Sequence, residues 1–207
     1  MYDQTQKASY VHNIRKFMSL KNDAVVRTMS VLEFDFCFHL EYNPNVKSFI
    51  SQPDSLYYLF NGRRCRYTSD FLVKGLNGQS SLIEVKHSSK INNPDFRARF
   101  AEKKKTAIEC YGLGLRLVTD KQIRINPILN NLKLLHRYSG FHTVTEVEKF
   151  VLKYIQRNKN VQLRDMSEVL GLSEQETIIS SLCWLSSGKI QTDLKGSEFG
   201  LDNYVWG

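Results

Sequence analysis

The sequence predicts an α/β domain, with a mixed sheet flanked by helices, followed by a small and mostly helical domain. Between residues 30 and 120 the chain alternates in the order helix, several strands, helix, strand, which is typical of layered α/β or α+β structures. After residue 121, helical patterns and one short strand remain. The charge changes at the same place, from 19 basic and 12 acidic side chains in residues 1–121 to 10 and 9 in residues 122–207. We therefore predict domains over 1–121 and 122–207.

The N-terminal segment, residues 1–21, has no clear period, and we expect an irregular or partly helical basic arm. A helix is predicted from Ser30 to about Glu41. Ser30 and Glu33 have the spacing of a capping box, and the dense apolar residues that follow indicate burial on most sides. The Asn43-Pro44 pair ends this helix.

Six strands are predicted between the first helix and residue 120. Asn61 and Gly62 give a strong two-residue turn signal between the second and third strands. A long helix should begin at Asn93-Pro94, an N-cap residue followed by proline, and end at Gly112. The predicted strands are residues 46–50, 56–60, 64–68, 71–73, 81–86 and 115–119.

The C-terminal segment predicts a winged-helix-like domain, because a short helix, a tight glycine turn, a helix and a strand follow one another. The second of its helices should open with a capping box, either Thr143 with Glu146 or Thr145 with Glu148. The predicted elements are helices over residues 125–138, 144–158 and 163–170, a helix opening at Ser173, and a small strand or wing over 189–193.

Composition favours a nucleic-acid partner and argues against a membrane or secreted protein. A net charge of +8 suggests a polyanionic partner, most simply nucleic acid, although a merely basic soluble protein is the alternative. No apolar run approaches the ~20 residues of a membrane span, and the first residues lack the apolar stretch of a signal peptide. The four cysteines form no C-x-x-C pair. We therefore expect an intracellular protein with reduced core thiols and no membrane partner.

Asp70, Glu84 and Lys86 are the residues whose pattern predicts chemistry. Glu84 and Lys86 are two apart on a predicted strand, so their side chains share one face, while Ile83 and Val85 share the other, which is apolar enough for a core. Asp70 begins the preceding strand. The alternative interpretation is an exposed strand face with a Glu–Lys ion pair that contributes less than ~1 kcal/mol.

The pairing of these strands depends on the loop between them. A two-residue turn at Asn77 and Gly78 would place Asp70 opposite Val85, on the wrong face. A five-residue loop over 75–79, or a bulge, would place Asp70 opposite Glu84. The functional interpretation therefore predicts the longer loop, although local turn chemistry favours the shorter one.

Two carboxylates on adjacent strands predict a cation. At ~4 Å and an effective dielectric constant of about 20, their repulsion is roughly 4 kcal/mol. Hard oxygen ligands favour Mg²⁺, with Mn²⁺ as a possible substitute, over zinc. The Val85 carbonyl is a further candidate ligand. A water activated by the cation and oriented by Lys86 suits phosphodiester hydrolysis.

Neighbouring residues support this interpretation. Glu33, from the upstream helix, is a candidate further acid, although its capping role is a sufficient alternative. Basic residues before Asp70 and after Lys86 are candidates for holding DNA phosphates, with a solvated face as the alternative. His87 should alternate to the core side, and we expect a packed or edge residue. The DNA-binding candidates are Arg63, Arg64, Arg66, Arg97, Lys103 and Lys104.

The combined pattern resembles the TnsA family, the endonuclease subunits of heteromeric cut-and-paste transposases. The resemblance implies a restriction-endonuclease-like catalytic domain that uses Mg²⁺, with Glu33, Asp70 and Lys86 at the family's catalytic positions. Glu84 occupies a position where the family often has glutamine. The motifs that carry the resemblance are SVLE at 30–33, LEYNPNVKSFISQP at 40–53, YTSDF at 67–71 and IEVK at 83–86.

The resemblance also implies a reaction and partners. The family cuts the 5′ strand at transposon ends in double-stranded DNA, a DDE-class transposase, TnsB, processes the 3′ strand, and an AAA+ ATPase, TnsC, is contacted mainly through the C-terminal domain. The location would be the bacterial cytoplasm, at the nucleoid when active. Two alternatives stay open: a stand-alone restriction or repair nuclease of the same fold, and a non-catalytic DNA-binding scaffold subunit.

The helix opening at Ser173 bears on the role of the C-terminal domain. A helix that reads DNA usually carries basic or amide residues at its N-terminus, whereas this one carries Glu174 and Glu176. We therefore expect protein docking rather than major-groove binding. The alternative is that both glutamates only complement the helix dipole.

Overall fold

The computed structural model describes residues 14–140 and 143–207. The chain divides into two compact units, one ending at Arg124 and the other beginning at Ile125. The first unit is built on a mixed four-stranded sheet, and the predicted α/β class is confirmed. Its elements are β1 (Arg15–Ser19), β2 (Ala24–Thr28), α1 (Val31–Tyr42), β3 (Val46–Ser51), β4 (Leu56–Phe60), β5 (Arg63–Tyr67), β6 (Phe71–Gly75), β7 (Ser80–Lys86), α2 (Pro94–Tyr111), β8 (Gly114–Thr119) and α3 (Asp120–Ile123).

The sheet has the strand order β3-β6-β7-β8, with β7 and β8 parallel and the other pairs antiparallel. Lys74 pairs with Ser80 and Phe71 with Ile83, so the predicted five-residue loop over 75–79 is confirmed. The Gly75 N–H donates to the Gln79 carbonyl at 2.8 Å and closes the loop. This register places Asp70 opposite Glu84.

Helix α1 and a β1–β2 hairpin lie on one side of the unit. Ser30 caps α1 as predicted, with its Oγ accepting the Glu33 N–H at 3.1 Å. The hairpin corrects the expectation of an irregular or partly helical arm over 1–21, as far as that arm falls within the described residues; residues 1–13 lie outside them. Alternate side chains of the hairpin are buried, and Phe17 packs edge-on against Phe38 with ring centroids 5.1 Å apart.

Helix α2 and the β4–β5 hairpin form a second core with the sheet. The hairpin turns at Asn61 and Gly62, which both have positive φ, as the sequence predicts. Asn93 caps the start of α2, and Gly112 ends it in the left-handed conformation with φ 64°. The buried residues of this core are Leu56, Tyr58, Tyr67, Leu82, Ala107 and Leu115.

This second core overturns one expectation. Strand β7 was expected to be buried on one face, with Glu84 exposed on the other, but the second core covers that face too. Leu82, two residues before Glu84, is 4% exposed, and Glu84 itself is only 7% exposed.

In the described residues of the second unit, four helices accompany a small antiparallel sheet of order β10-β11-β9. The helix predicted over 125–138 begins only at Ile128, because Pro127 lacks an N–H and disfavours helical geometry in the residue before it. The Thr145–Glu148 capping box is present, and Ser173 and Glu176 form another. The elements are α4 (Ile128–Arg137), α5 (Glu146–Asn158), β9 (Asn160–Gln162), α6 (Leu163–Leu170), α7 (Glu174–Ser186), β10 (Gln191–Thr192) and β11 (Tyr204–Trp206).

Two further sequence-based expectations concern the whole chain. None of the helices in the described ranges has the length and hydrophobicity needed to cross a membrane. Cys37, Cys65, Cys110 and Cys183 are all free, but the expectation of core thiols holds only for Cys37 and Cys183, because Cys110 is exposed and Cys65 is half-buried.

Candidate active site

Asp70 lies at the junction between β5 and β6, where backbone contacts to both neighbouring strands fix it. Its N–H donates to the Ile83 carbonyl at 3.0 Å, and its carbonyl accepts the Gln52 N–H at 2.9 Å. The side chain reaches the next strand, since Asp70 Oδ2 accepts the Val85 N–H at 2.6 Å. Asp70 is therefore tied to β7 at the position of Glu84 and Lys86.

Glu84 is a buried carboxylate with a different partner on each oxygen. The Tyr67 hydroxyl donates to Glu84 Oε2. Two ammonium groups approach the other oxygen, Oε1, with Lys86 Nζ at 4.0 Å and Lys103 Nζ at 3.9 Å. The site thus contains an acid held between a phenol and two lysines.

The two lysines differ in their surroundings. The Lys86 side chain is 37% exposed and its Nζ lies 5.7 Å from the centre of the Phe96 ring. The Lys103 side chain is 15% exposed, and its Nζ lies 3.9 Å from the centre of the Tyr67 ring, within cation–π range. Lys86 is the lysine open to a substrate.

Burial and mutual repulsion shift the pKa values of the site. Burial, together with the charges of Glu84 and Glu33, raises the pKa of Asp70 from 3.8 to about 8. Burial and the adjacent Glu84 carboxylate raise the pKa of Tyr67, so its hydroxyl stays protonated and donates. Burial lowers the pKa of Lys103, partly offset by Glu84. A carboxyl whose pKa is raised in this way favours a nearby cation.

Glu33 is buried, and both of its oxygens accept hydrogen bonds at the start of α1. Oε1 accepts from the Ser30 hydroxyl at 2.7 Å and Oε2 from the Met29 N–H at 2.8 Å. Its charge still raises the pKa of Asp70. Within residues 14–140 and 143–207, no three His, Cys, Asp or Glu side chains are grouped so that they could hold a metal ion. The group that converges is two carboxylates and two lysines.

The donor set that is present suits a hard divalent cation. Mg²⁺ in proteins commonly binds one or two carboxylates and keeps water or substrate phosphate as its other ligands. Asp70 and Glu84 supply two carboxylates, and Asp70 Oδ1 accepts no hydrogen bond from the described part of the chain. Val85, whose backbone lies between Glu84 and Lys86, could add a carbonyl oxygen.

The remaining predicted basic residues lie on two neighbouring elements. Arg63, Arg64 and Arg66 are exposed on β5, and the Arg64 guanidinium lies 4.3 Å from the Tyr57 ring centre. Arg97 and Lys104 are exposed on α2, whereas Lys103 faces inward. The expectation that His87 packs toward the core is wrong: β7 ends at Lys86, so His87 is exposed and lies 3.5 Å from Asp120.

Sequence reasoning missed the placement of Tyr67 and Lys103 beside Glu84. For Lys103 a signal exists: Phe96, Phe100, Lys103 and Ala107 recur at the spacing of one helix face, and that face is the inner one. Tyr67 offers no such signal, because its contact depends on how the β4–β5 hairpin folds over β7.

Comparison with known families bears directly on the first unit. Residues 43–120 match the family model described as the TnsA-like endonuclease N-terminal domain. The matched segment begins after Glu33 and includes Asp70, Glu84, Lys86 and Lys103. No curated protein matches the chain. Over residues 43–120 the family match agrees with the TnsA resemblance found in the sequence: this part of the chain is similar to a TnsA-like endonuclease N-terminal domain, of the restriction-endonuclease-like fold.

Proposed function

We propose that this chain is a Mg²⁺-dependent DNA endonuclease that hydrolyses the 5′ strand at transposon ends, within a heteromeric cut-and-paste transposase. The observation that carries the proposal is the strand register that sets Asp70 beside Glu84, with the Lys86 amine 4.0 Å from Glu84. The TnsA-like match over 43–120 supports the same reaction class.

The roles follow from the surroundings of each group. Asp70 and Glu84 would hold the cation, together with the Val85 carbonyl, and Glu33 would complete the shell or act through water. Lys86, the exposed lysine, would position the attacking water and stabilise charge on the scissile phosphate. A bound Mg²⁺ or Mn²⁺ would supply positive charge that offsets the repulsion between the carboxylates and lowers the pKa of water.

DNA binding is proposed for the exposed basic residues around this site. Arg63, Arg64 and Arg66 on β5, with Arg97 and Lys104 on α2, present positive charge on both elements that cover the Glu84 face. Guanidinium and ammonium groups of this kind contact phosphates without reading sequence. The choice of cutting site would then rest with the partner transposase, TnsB.

For the second unit we propose a winged-helix-like fold that docks the AAA+ ATPase, TnsC, in the bacterial cytoplasm. Its order of helices and short strands fits that fold. Helix α7 opens with Glu174 and Glu176, and Glu176 is committed to the Ser173 cap, with its Oε2 accepting the Ser173 N–H at 2.9 Å. Acidic residues at this position disfavour contact with DNA phosphates and suit a protein partner.

Lys86→Ala tests the proposal. We expect loss of 5′-strand cutting on end-labelled transposon DNA in the assembled transposase with Mg²⁺, with an unchanged circular dichroism spectrum. Lys74→Ala, at an exposed lysine on β6 of the same sheet, is the matched control and should cut normally. Normal cutting by Lys86→Ala would reject the assignment.

The same assay separates the two alternatives. A stand-alone nuclease would cut robustly without the partner proteins, whereas a transposase subunit should cut little alone. A non-catalytic scaffold subunit would bind neither Mg²⁺ nor Mn²⁺, and Asp70→Ala would leave strand cleavage in the assembled system unchanged. Reading frames for a DDE transposase and an AAA+ ATPase beside this one would support the transposase role.

A further inference from the structure

Lys103 lies inside the candidate site rather than on the solvent face of α2. It shares the inner face of the helix with Phe96, Phe100 and Ala107, and its side chain is 15% exposed. The following residue, Lys104, is exposed. A lysine in this position has little access to a DNA phosphate outside the protein.

The Lys103 ammonium group contacts Glu84 and Tyr67, the residue that holds Glu84. Its Nζ is 3.9 Å from Glu84 Oε1 and 3.9 Å from the centre of the Tyr67 ring, while the Tyr67 hydroxyl donates to Glu84 Oε2. Tyr67 and Lys103 thus restrain the two oxygens of one carboxylate from the same side of β7.

Two ammonium groups on one carboxylate oxygen suggest that they have separate tasks. Lys86 is more exposed and has only a distant contact to the Phe96 ring, so it can turn toward a substrate. Lys103 is held by the aromatic ring and by the helix, so it can stay when Lys86 turns away. Glu84 would then keep its orientation throughout the reaction.

We propose that Lys103 is a positioning residue that, together with Tyr67, fixes the Glu84 carboxylate for cation binding and leaves Lys86 for the water and the scissile phosphate. The inference rests on the proposed function, since it assigns Glu84 as a ligand. It replaces direct phosphate contact as the role of Lys103. Groups that orient a metal ligand typically change metal affinity or activity by about 10- to 100-fold when removed.

The test compares Lys103→Met with Lys105→Met, at an exposed lysine of the same helix, in the full chain. Mn²⁺ binding is measured by titration calorimetry. The values of kcat and KM are measured for strand cutting in the assembled transposase. Binding to double-stranded DNA is measured by fluorescence anisotropy at two salt concentrations. We expect Lys103→Met to weaken Mn²⁺ binding or lower kcat by about 10- to 100-fold, with DNA affinity and its salt dependence unchanged. Lys105→Met should keep Mn²⁺ affinity and kcat.

Further variants guard against a merely structural effect. Lys103→Arg should restore most of the Mn²⁺ affinity, because a guanidinium also pairs with a carboxylate and stacks on an aromatic ring. Tyr67→Phe should weaken Mn²⁺ binding, and its combination with Lys103→Met should cost less than the two single effects together, since both act on Glu84. Lys103→Gln replaces the methionine variant if that protein does not fold.

Two outcomes would overturn the inference. One is wild-type Mn²⁺ affinity and kcat in both Lys103→Met and Lys103→Gln. The other is a loss of DNA affinity with a shallower salt dependence and normal Mn²⁺ binding, which is the behaviour of a phosphate contact. Absence of Mn²⁺ binding by the wild-type chain would instead overturn the proposed function, and the inference with it.

Discussion

Asp70→Asn should stabilise the cation-free protein while removing its activity. Asp70 is desolvated and close to the charges of Glu84 and Glu33, which raise its pKa to about 8. The asparagine variant has nearly the same shape, and its amide oxygen can still accept the Val85 N–H that Asp70 Oδ2 accepts at 2.6 Å. The substitution therefore keeps the hydrogen bond and removes the free-energy cost of protonating this carboxyl on folding, since the amide is neutral in both the folded and the unfolded state.

The size of the effect depends on pH. The pKa of Asp70 is raised in the folded state, so between pH 3.8 and about 8 the folded protein holds a proton that the unfolded chain releases. The free energy of unfolding of the wild type therefore falls as pH rises through this window, by up to about 1.4 kcal/mol per pH unit. The variant has no titrating group at this position and lacks this pH dependence. The difference in free energy of unfolding between the variant and the wild type should therefore grow by about 3 kcal/mol between pH 5 and pH 7.

Urea unfolding in EDTA, at pH 5 and at pH 7, measures this difference. Asp54→Asn, at an exposed carboxylate outside the strands, is the control and should show no growing advantage. Adding Mn²⁺ at pH 7 should stabilise the wild type and leave Asp70→Asn unchanged. An advantage of equal size at both pH values, or a loss of stability in the variant at pH 7, would refute the reasoning.

Two other predictions concern DNA and the regulator. Arg64→Ala should weaken binding to double-stranded DNA of any sequence and lower the salt slope of the binding constant by about 1, measured by anisotropy; an unchanged slope would exclude a phosphate contact. Residues 125–207 can be removed without breaking the Arg124–Asp35 ion pair. This truncation should abolish copurification with the AAA+ regulator and retain DNA binding. The opposite pattern would mean that the domain roles are reversed.

Local chemistry was enough to predict much of the fold around the site. The Ser30 and Asn93 caps, the Asn61-Gly62 turn and the Gly112 helix end each act within a few residues, and all are found where the sequence places them. The Asp70–Glu84 pairing needed one more premise, that the strand face with the acid and the lysine is the functional one. That premise selected the correct loop over 75–79 against the local turn signal.

What the sequence could not supply was packing between distant segments. The β1–β2 hairpin depends on the contact of Phe17 with the aromatic rings of α1. The basic residues on its exposed face obscure the alternation of buried and exposed side chains that would predict a strand. The burial of Glu84 depends on α2 and the β4–β5 hairpin closing over β7. The contact of Tyr67 with Glu84 therefore could be identified only from the structure.

The central claim is that Asp70 and Glu84 together hold a divalent cation. Crystals of the full chain grown with Mn²⁺ and measured at the manganese absorption edge test it most directly. We expect one anomalous peak within about 2.0–2.4 Å of a carboxylate oxygen from each of the two residues, and loss of that peak in Asp70→Asn crystals. A saturated crystal with manganese elsewhere, and with Glu84 still paired with Lys86, would contradict the claim.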